Sequence, residues 1–154
     1  MIPGIVAGQS TPQSGGGARE ALYWRLNITS THGDRSSTEL RELQFRGAVG
    51  GANMATDTAR AAASSEYSAE YGAGKAFDNN AGTIWLSTSM PAWIRYSFAA
   101  PTSVVEYALF TTNGTPYLPD TWTLECSDDA AVWEVVHAVA DAVLPLDALT
   151  AFTV

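Results

Sequence analysis

The sequence predicts an all-β fold, an antiparallel sandwich, and three observations carry that expectation. Apolar and polar residues alternate along short runs, as they do in half-buried strands. Turn formers separate those runs: Pro101, Asn113-Gly114, Pro116, Pro119 and Asp128-Asp129. No ten-residue window carries an amphipathic helix, although Asp141–Leu149 has room for one turn. Short strands punctuated in this way pack as two layers around one core.

Taken in order, the chain opens on an uncharged apolar segment, Met1 to Gly8, with Ile2, Pro3, Ile5 and Val6. Ser10 to Gly17 then has the composition of a flexible linker. Residues 1–20 are thus expected to form an extended docking arm and linker, and residues 21–154 one domain. Tyr23–Thr29 reads as a strand, because Trp24, Leu26 and Ile28 alternate with Tyr23, Arg25, Asn27 and Thr29. A loop at His32-Gly33-Asp34 leads to a second strand, Leu40–Arg46, with Leu43 and Phe45 on one face. Gly47–Ala62 reads as a connection. Beyond the central stretch, strands are expected at Trp93–Phe98, Val104–Thr111, Trp122–Ser127 and Val132–His137.

At 154 residues the chain is one domain of ordinary size. Five Trp, six Tyr and five Phe supply large apolar area for its core. The formal net charge of −8 argues against nucleic acid and against an anionic membrane surface, since both repel acidic proteins. No run approaches the roughly 20 apolar residues of a spanning helix, so membrane insertion is not expected. Cys126 is the only cysteine, so no disulfide can close within the chain. The first residues, MIPGIVAGQS, lack a basic n-region and a full apolar h-region, and no secretory signal is expected.

Catalysis has little to work with. His32 and His137 are the only histidines, the first expected in a solvated turn and the second at a strand end. The motifs of serine hydrolases, zinc proteases and P-loop enzymes are absent. Cys126 alternates with Trp122 and Leu124 and reads as buried packing rather than a nucleophile. A non-enzyme is expected.

The stretch Ala63 to Trp85, ASSEYSAEYGAGKAFDNNAGTIW, holds the candidate chemistry. Asp78, Asn80 and Thr83 put three oxygen-bearing side chains within six positions, beside Gly82. Hard cations such as Ca²⁺ take six to eight oxygens, many of them backbone carbonyls, from loops of this kind. Asp-Asn-Asn is also ordinary turn chemistry, and spacing alone favours that reading. The EF-hand template fails, because Gly82 stands where a third ligand belongs and no Glu closes the loop. Phe77, Ile84 and Trp85 would anchor the loop in the core.

Several motifs, in order, resemble a discoidin domain, also called a coagulation-factor type C domain and close in shape to galactose-binding modules. They are Ala63-Ser64-Ser65, then Lys75-Ala76-Phe77-Asp78-Asn79-Asn80, Thr83-Ile84-Trp85 and Trp93–Phe98. Pro119–Asp129 and Val132-Trp133 continue the likeness, which covers most of the chain from Tyr23 onward. The resemblance implies a galactose-binding-like jelly roll. It also implies a circular permutation, because Tyr23–Thr29 and Leu40–Arg46 look like the strands that normally close the domain. The missing disulfide fits a prokaryotic or viral version.

In that family a structural Ca²⁺ sits in the corresponding loop. Carried over by position, its ligands are Glu42, Asp78, Asn80 and Thr83, with the Lys75 carbonyl as an addition. Asn79 stands where the family often has Gly, and Asn tolerates the left-handed backbone that Gly supplies. The family's ligand loops correspond to Glu66, Tyr67, Glu70 and Tyr71; to Ser87–Met90; and to Asn113, Thr115, Tyr117 and Leu118. Tyr67, Tyr71 and Tyr117 are the expected stacking platforms for a sugar. Glu66, Glu70, Asn113 and the hairpin's His32, Asp34 and Arg35 are expected to bond its hydroxyls. The His and Arg usual in the family's galactose binders are missing from the central loops, which leaves the sugar open.

The resemblance thus implies a non-catalytic adhesion module that binds cell-surface glycan. The uncharged arm and the absent signal and disulfide resemble accessory proteins of bacteriophage virions, assembled in the bacterial cytoplasm. There the arm would dock onto virion proteins and many copies would face the host. The alternative is a structural virion protein whose loops contact only neighbouring subunits.

Overall fold

A computed structural model describes residues 18–154. Of the arm and linker expected over residues 1–20, residues 1–17 lie outside the described residues, and Glu20 already opens the first strand. The fold is an all-β antiparallel sandwich, as the alternating runs predict. Ten strands follow in order: β1 (Glu20–Thr31), β2 (Glu39–Leu40), β3 (Glu42–Arg46), β4 (Ala61–Ala63), β5 (Trp85–Leu86), β6 (Ala92–Ser103), β7 (Glu106–Phe110), β8 (Pro119–Ser127), β9 (Glu134–Val139) and β10 (Leu149–Thr153). One sheet runs β4-β6-β1-β8-β9 and faces a second, β10-β7-β3, while β2 and β5 pair by themselves. Among the described residues no helix is long and apolar enough to cross a membrane.

The strand read at Tyr23–Thr29 lies at the centre of the larger sheet, antiparallel to β6 and β8. Its apolar set, Trp24, Leu26 and Ile28, is fully buried, and so are Ile94 of β6 and Leu124 and Cys126 of β8. Burial pushes the Cys126 thiol up to about 11, as suits packing rather than attack. Leu43 and Phe45 of β3 and Tyr107 and Leu109 of β7 close the core from the other layer. Both strands that resemble a closing pair therefore belong to the one sandwich.

Four expectations change. The strand expected at Trp93–Phe98 continues through Pro101 to Ser103. Pro101 fits because the β1–β6 register skips from Ser97 to Thr102, leaving it exposed where no ladder donor is needed. The Gly47–Ala62 connection ends in β4, whose three alanines pair with Tyr96, Arg95 and Ile94. Asp141–Leu149 forms no helix, and Leu149 instead begins β10, which pairs with β7. His137 lies within β9, where its Nδ1 is 2.9 Å from Tyr107 Oη, an oxygen that also accepts from Trp122 Nε1 at 2.9 Å. Phe152 of β10 stacks on Tyr107 with ring centroids 5.2 Å apart.

The two ends of the described chain meet at one connection. Ser103 Oγ donates to the Ala18 carbonyl at 3.0 Å, and Val154 N donates to the Val105 carbonyl at 2.8 Å.

Candidate functional site

Two places collect the candidate residues: an oxygen-rich loop beside β3 and an open groove at the loop end of the sandwich.

The short 3-10 helix Ala73–Phe77 drops Phe77 into the core, fully buried against Phe45 and Tyr96. The chain then reverses through Asn79, whose φ of 54° is the left-handed turn anticipated for Asn at that position. Asp78 Oδ1 accepts from Asn80 N at 2.9 Å, and Asn80 Oδ1 from Gly82 N at 2.9 Å, so both side chains brace the turn. Glu42 reaches the same loop from β3, where its Oε1 accepts from Asn80 N at 2.8 Å. Thr83 Oγ1 stands 2.8 Å from Asp78 Oδ2, 2.9 Å from the Asn80 carbonyl and 3.4 Å from the Lys75 carbonyl.

All five predicted cation ligands are thus brought together. A hydroxyl has one hydrogen to give, yet three acceptor oxygens converge on Thr83. Glu42 is 3% exposed, and its Oε2 is buried without a hydrogen-bond partner. Burial, and then the adjacent Asp78 carboxylate, push Glu42 up to about 7. The pocket has more oxygens than protons, which is the condition a hard cation relieves. Among the described residues no three His, Cys, Asp or Glu side chains gather. Two carboxylates with neutral oxygens suit Ca²⁺ better than a transition metal.

The groove is built by three loops stitched at Thr38. Thr38 N donates to Ser87 Oγ at 2.9 Å, Ser87 N to the Thr38 carbonyl at 2.9 Å, and Thr38 Oγ1 to the Tyr117 carbonyl at 2.9 Å. The loop after β4 is fixed too: Tyr67 N donates to the Leu86 carbonyl at 2.8 Å, and Trp85 Nε1 to the Ser65 carbonyl at 3.1 Å. Tyr67 and Tyr117 then line one cavity of about 500 Å³, together with Glu39, Ser87 and Thr88. Tyr67 is 65% exposed, and Tyr71 supports it edge-on at 5.9 Å. The Arg35 guanidinium lies over the Tyr117 ring at 5.6 Å. Glu39 accepts a hydrogen bond from the Thr112 hydroxyl.

The remaining loop candidates lie elsewhere. Glu70 and Asn113 are exposed and do not line this groove. Glu66 is committed to its own loop, where Oε1 accepts from Ala73 N at 2.8 Å. His32, Thr115 and Leu118 border a separate cavity of about 160 Å³ against Leu144. Asp34 turns the hairpin tip with φ 50°. Sequence reasoning missed Ser36, Ser37 and Glu39, which follow the hairpin without any pattern to mark them.

Comparison of the chain with protein-family models, curated proteins and solved structures finds no match. The site therefore rests on its own geometry.

That geometry makes Gly33 a critical position. Its N–H donates to the Pro116 carbonyl at 3.2 Å, and a Cβ there would lie 2.6 Å from Pro116 Cβ and 2.8 Å from its Cα. Gly33→Ala is expected to displace the loop carrying Tyr117, lowering stability by about 1–3 kcal/mol in a denaturant melt. A melt identical to wild type would show the two loops to be uncoupled.

Proposed function

We propose that the protein is a non-catalytic carbohydrate-binding module, a circularly permuted jelly roll of the discoidin type that attaches a larger assembly to cell-surface glycan. The observation that carries this reading is the convergence of Tyr67 and Tyr117, fifty positions apart in the chain, on one open groove with Glu39, Ser87 and Thr88. Sugar recognition needs an aromatic face for the apolar side of the ring and polar groups for its hydroxyls, and this groove supplies both. A structural Ca²⁺ held by Glu42, Asp78, Thr83 and the carbonyls of Lys75 and Asn80 would hold the neighbouring loop in place. In the virion setting the Met1–Gly17 segment docks the module onto the particle.

Stacking on one or two tyrosines is a weak attraction, so a single domain should bind with Kd on the order of 10⁻⁴ to 10⁻³ M. Display of many copies raises the effective affinity without new contacts. The test is a glycan array probed with monomeric and with multivalent protein, each as wild type and as Tyr67→Ala/Tyr117→Ala. Expected are signals from the multivalent wild type only, with little change in melting temperature in the variant. An array that stays dark, or a variant that binds as well as wild type, refutes the groove as a sugar site.

A second reading is a structural virion protein that makes only protein contacts. The exposed pair Val143 and Leu146, which border one cavity together, favours it. A dark array together with capture of the protein by assembled particles would select it.

A further inference from the structure

The outward residues of the five-stranded sheet form a surface unlike the rest of this acidic chain. The buried alternation of β1, β6 and β8 leaves Tyr23, Arg25 and Asn27, then Trp93 and Arg95, then Thr123 and Glu125 on the opposite face. The register sets Arg25 directly opposite Arg95, and like charges so placed repel. Only one carboxylate serves the pair. Glu125, 6% exposed, bonds Arg25 Nε at 2.6 Å and accepts from the Thr123 hydroxyl at 2.7 Å, while the Trp133 ring covers Arg25 at 4.0 Å.

Arg95 pairs with no carboxylate among the described residues. A shortage of acids is not the reason, since the chain has sixteen acidic residues to eight basic ones. Its guanidinium instead lies between the Tyr23 and Trp93 rings, 5.5 Å from each centroid. The seam between β1 and β6 therefore presents a ring, a cation without a counter-ion, and a second ring. Trp93 stands opposite Asn27, four residues from Tyr23, so the two rings flank Arg95 along the seam with centroids no more than 11 Å apart.

We propose that this face binds an anionic polysaccharide, a chain of uronic acid residues, with a carboxylate on Arg95 and sugar rings against Tyr23 and Trp93. A guanidinium takes a carboxylate through two parallel N–H bonds. The flanking rings accept the C–H faces of the sugars on either side, and Asn27 and Thr123 lie within the same surface to meet hydroxyls. An open sheet face admits a chain passing along it, where the loop groove admits a chain end or a single sugar. A second copy of the protein is the poorer occupant, because its own sheet face would bring arginines against arginines. This site shares no residue with the Tyr67–Tyr117 groove, so either can fail without the other.

The full chain is titrated with oligogalacturonate, with neutral galactan oligomers and with poly-L-glutamate, at low and high salt. Oligogalacturonate is expected to bind, more weakly as salt rises, and galactan is not expected to bind this face. Arg95→Gln should weaken binding about tenfold or more. Arg95→Lys should restore it only in part, because it keeps the charge and loses the fork. Arg41→Gln, at an arginine that pairs with Asp147 and belongs to neither site, should change nothing. Should Arg95→Gln lower the melting temperature, Tyr23→Ala carries the same test. No binding of oligogalacturonate, or wild-type affinity in these sheet variants, overturns the proposal. Equal binding of poly-L-glutamate would make the face an acidic-peptide site and also overturns it.

Discussion

Calcium is expected to raise the melting temperature and a chelator to lower it, the stabilisation being roughly 3 kcal/mol when free cation is about 100-fold above its dissociation constant. The response should depend on pH in a direction set by Glu42. Its folded value is raised from an ordinary 4.5 to about 7. Between those values the cation-free folded protein keeps a proton that the unfolded chain has lost. Cation-free stability therefore falls as pH rises through that window, by at most about 3 kcal/mol, and levels off above it. A cation takes the place of that proton, so the calcium-induced shift should grow from pH 4.5 to 7 and then stay constant. Glu42→Gln removes the buried charge. It should leave the chelated protein as stable as wild type or more so at pH 8, while abolishing the calcium response. Asp78→Ala should abolish that response as well. Thermal melts at pH 5 and pH 8, with calcium and with chelator, check each point, and melting temperatures indifferent to chelator would remove the cation.

Phe77→Ala should be among the most damaging single substitutions in the chain. The ring is fully buried, with centroids 6.3 Å from Phe45 and 5.2 Å from Tyr96, and it immediately precedes Asp78. Truncating a buried Phe costs about 3–5 kcal/mol, through lost transfer energy and the cavity left behind. Here the loss should carry a second signature, because the ring anchors the loop that presents Asp78, Asn80 and Thr83. The calcium-induced shift should shrink along with the baseline stability. Leu109→Ala, equally buried but on β7, should cost about 2–5 kcal/mol and leave the calcium shift intact. Equal calcium shifts in wild type and Phe77→Ala would separate core from loop.

The contrast between those residues also marks what sequence could reveal. Trp24, Leu26 and Ile28 are legible because a strand buries every second residue, and the period is written locally. Ala61–Ala63 offered no such pattern, since three alanines look the same from either face, and β4 was missed. Leu149–Thr153 was missed as a strand for want of length and contrast. The Asp78–Thr83 loop was local and visible as oxygen chemistry. Glu42, some forty positions away, came to it only through the resemblance to discoidin domains. Tyr67 and Tyr117 were visible as loop aromatics, but their shared groove depends on Thr38 and Ser87 bonding across 49 residues. Nothing marked Glu39, a carboxylate at the start of a two-residue strand. The meeting of Arg25 with Arg95 is a matter of register between distant strands, which neither segment states alone.

The position of residue 18 has a mechanical consequence. Ala18 leads directly into β1, which runs through the middle of the larger sheet with antiparallel neighbours on both sides. Bonds in antiparallel ladders lie across the strands, so tension delivered through that end loads them in shear, many at once. Peeling from an edge strand would instead break them singly. A pull from the N-terminal side thus meets the fold along its strongest direction, and the sandwich should yield at far higher force than if it were drawn by β9 or β10.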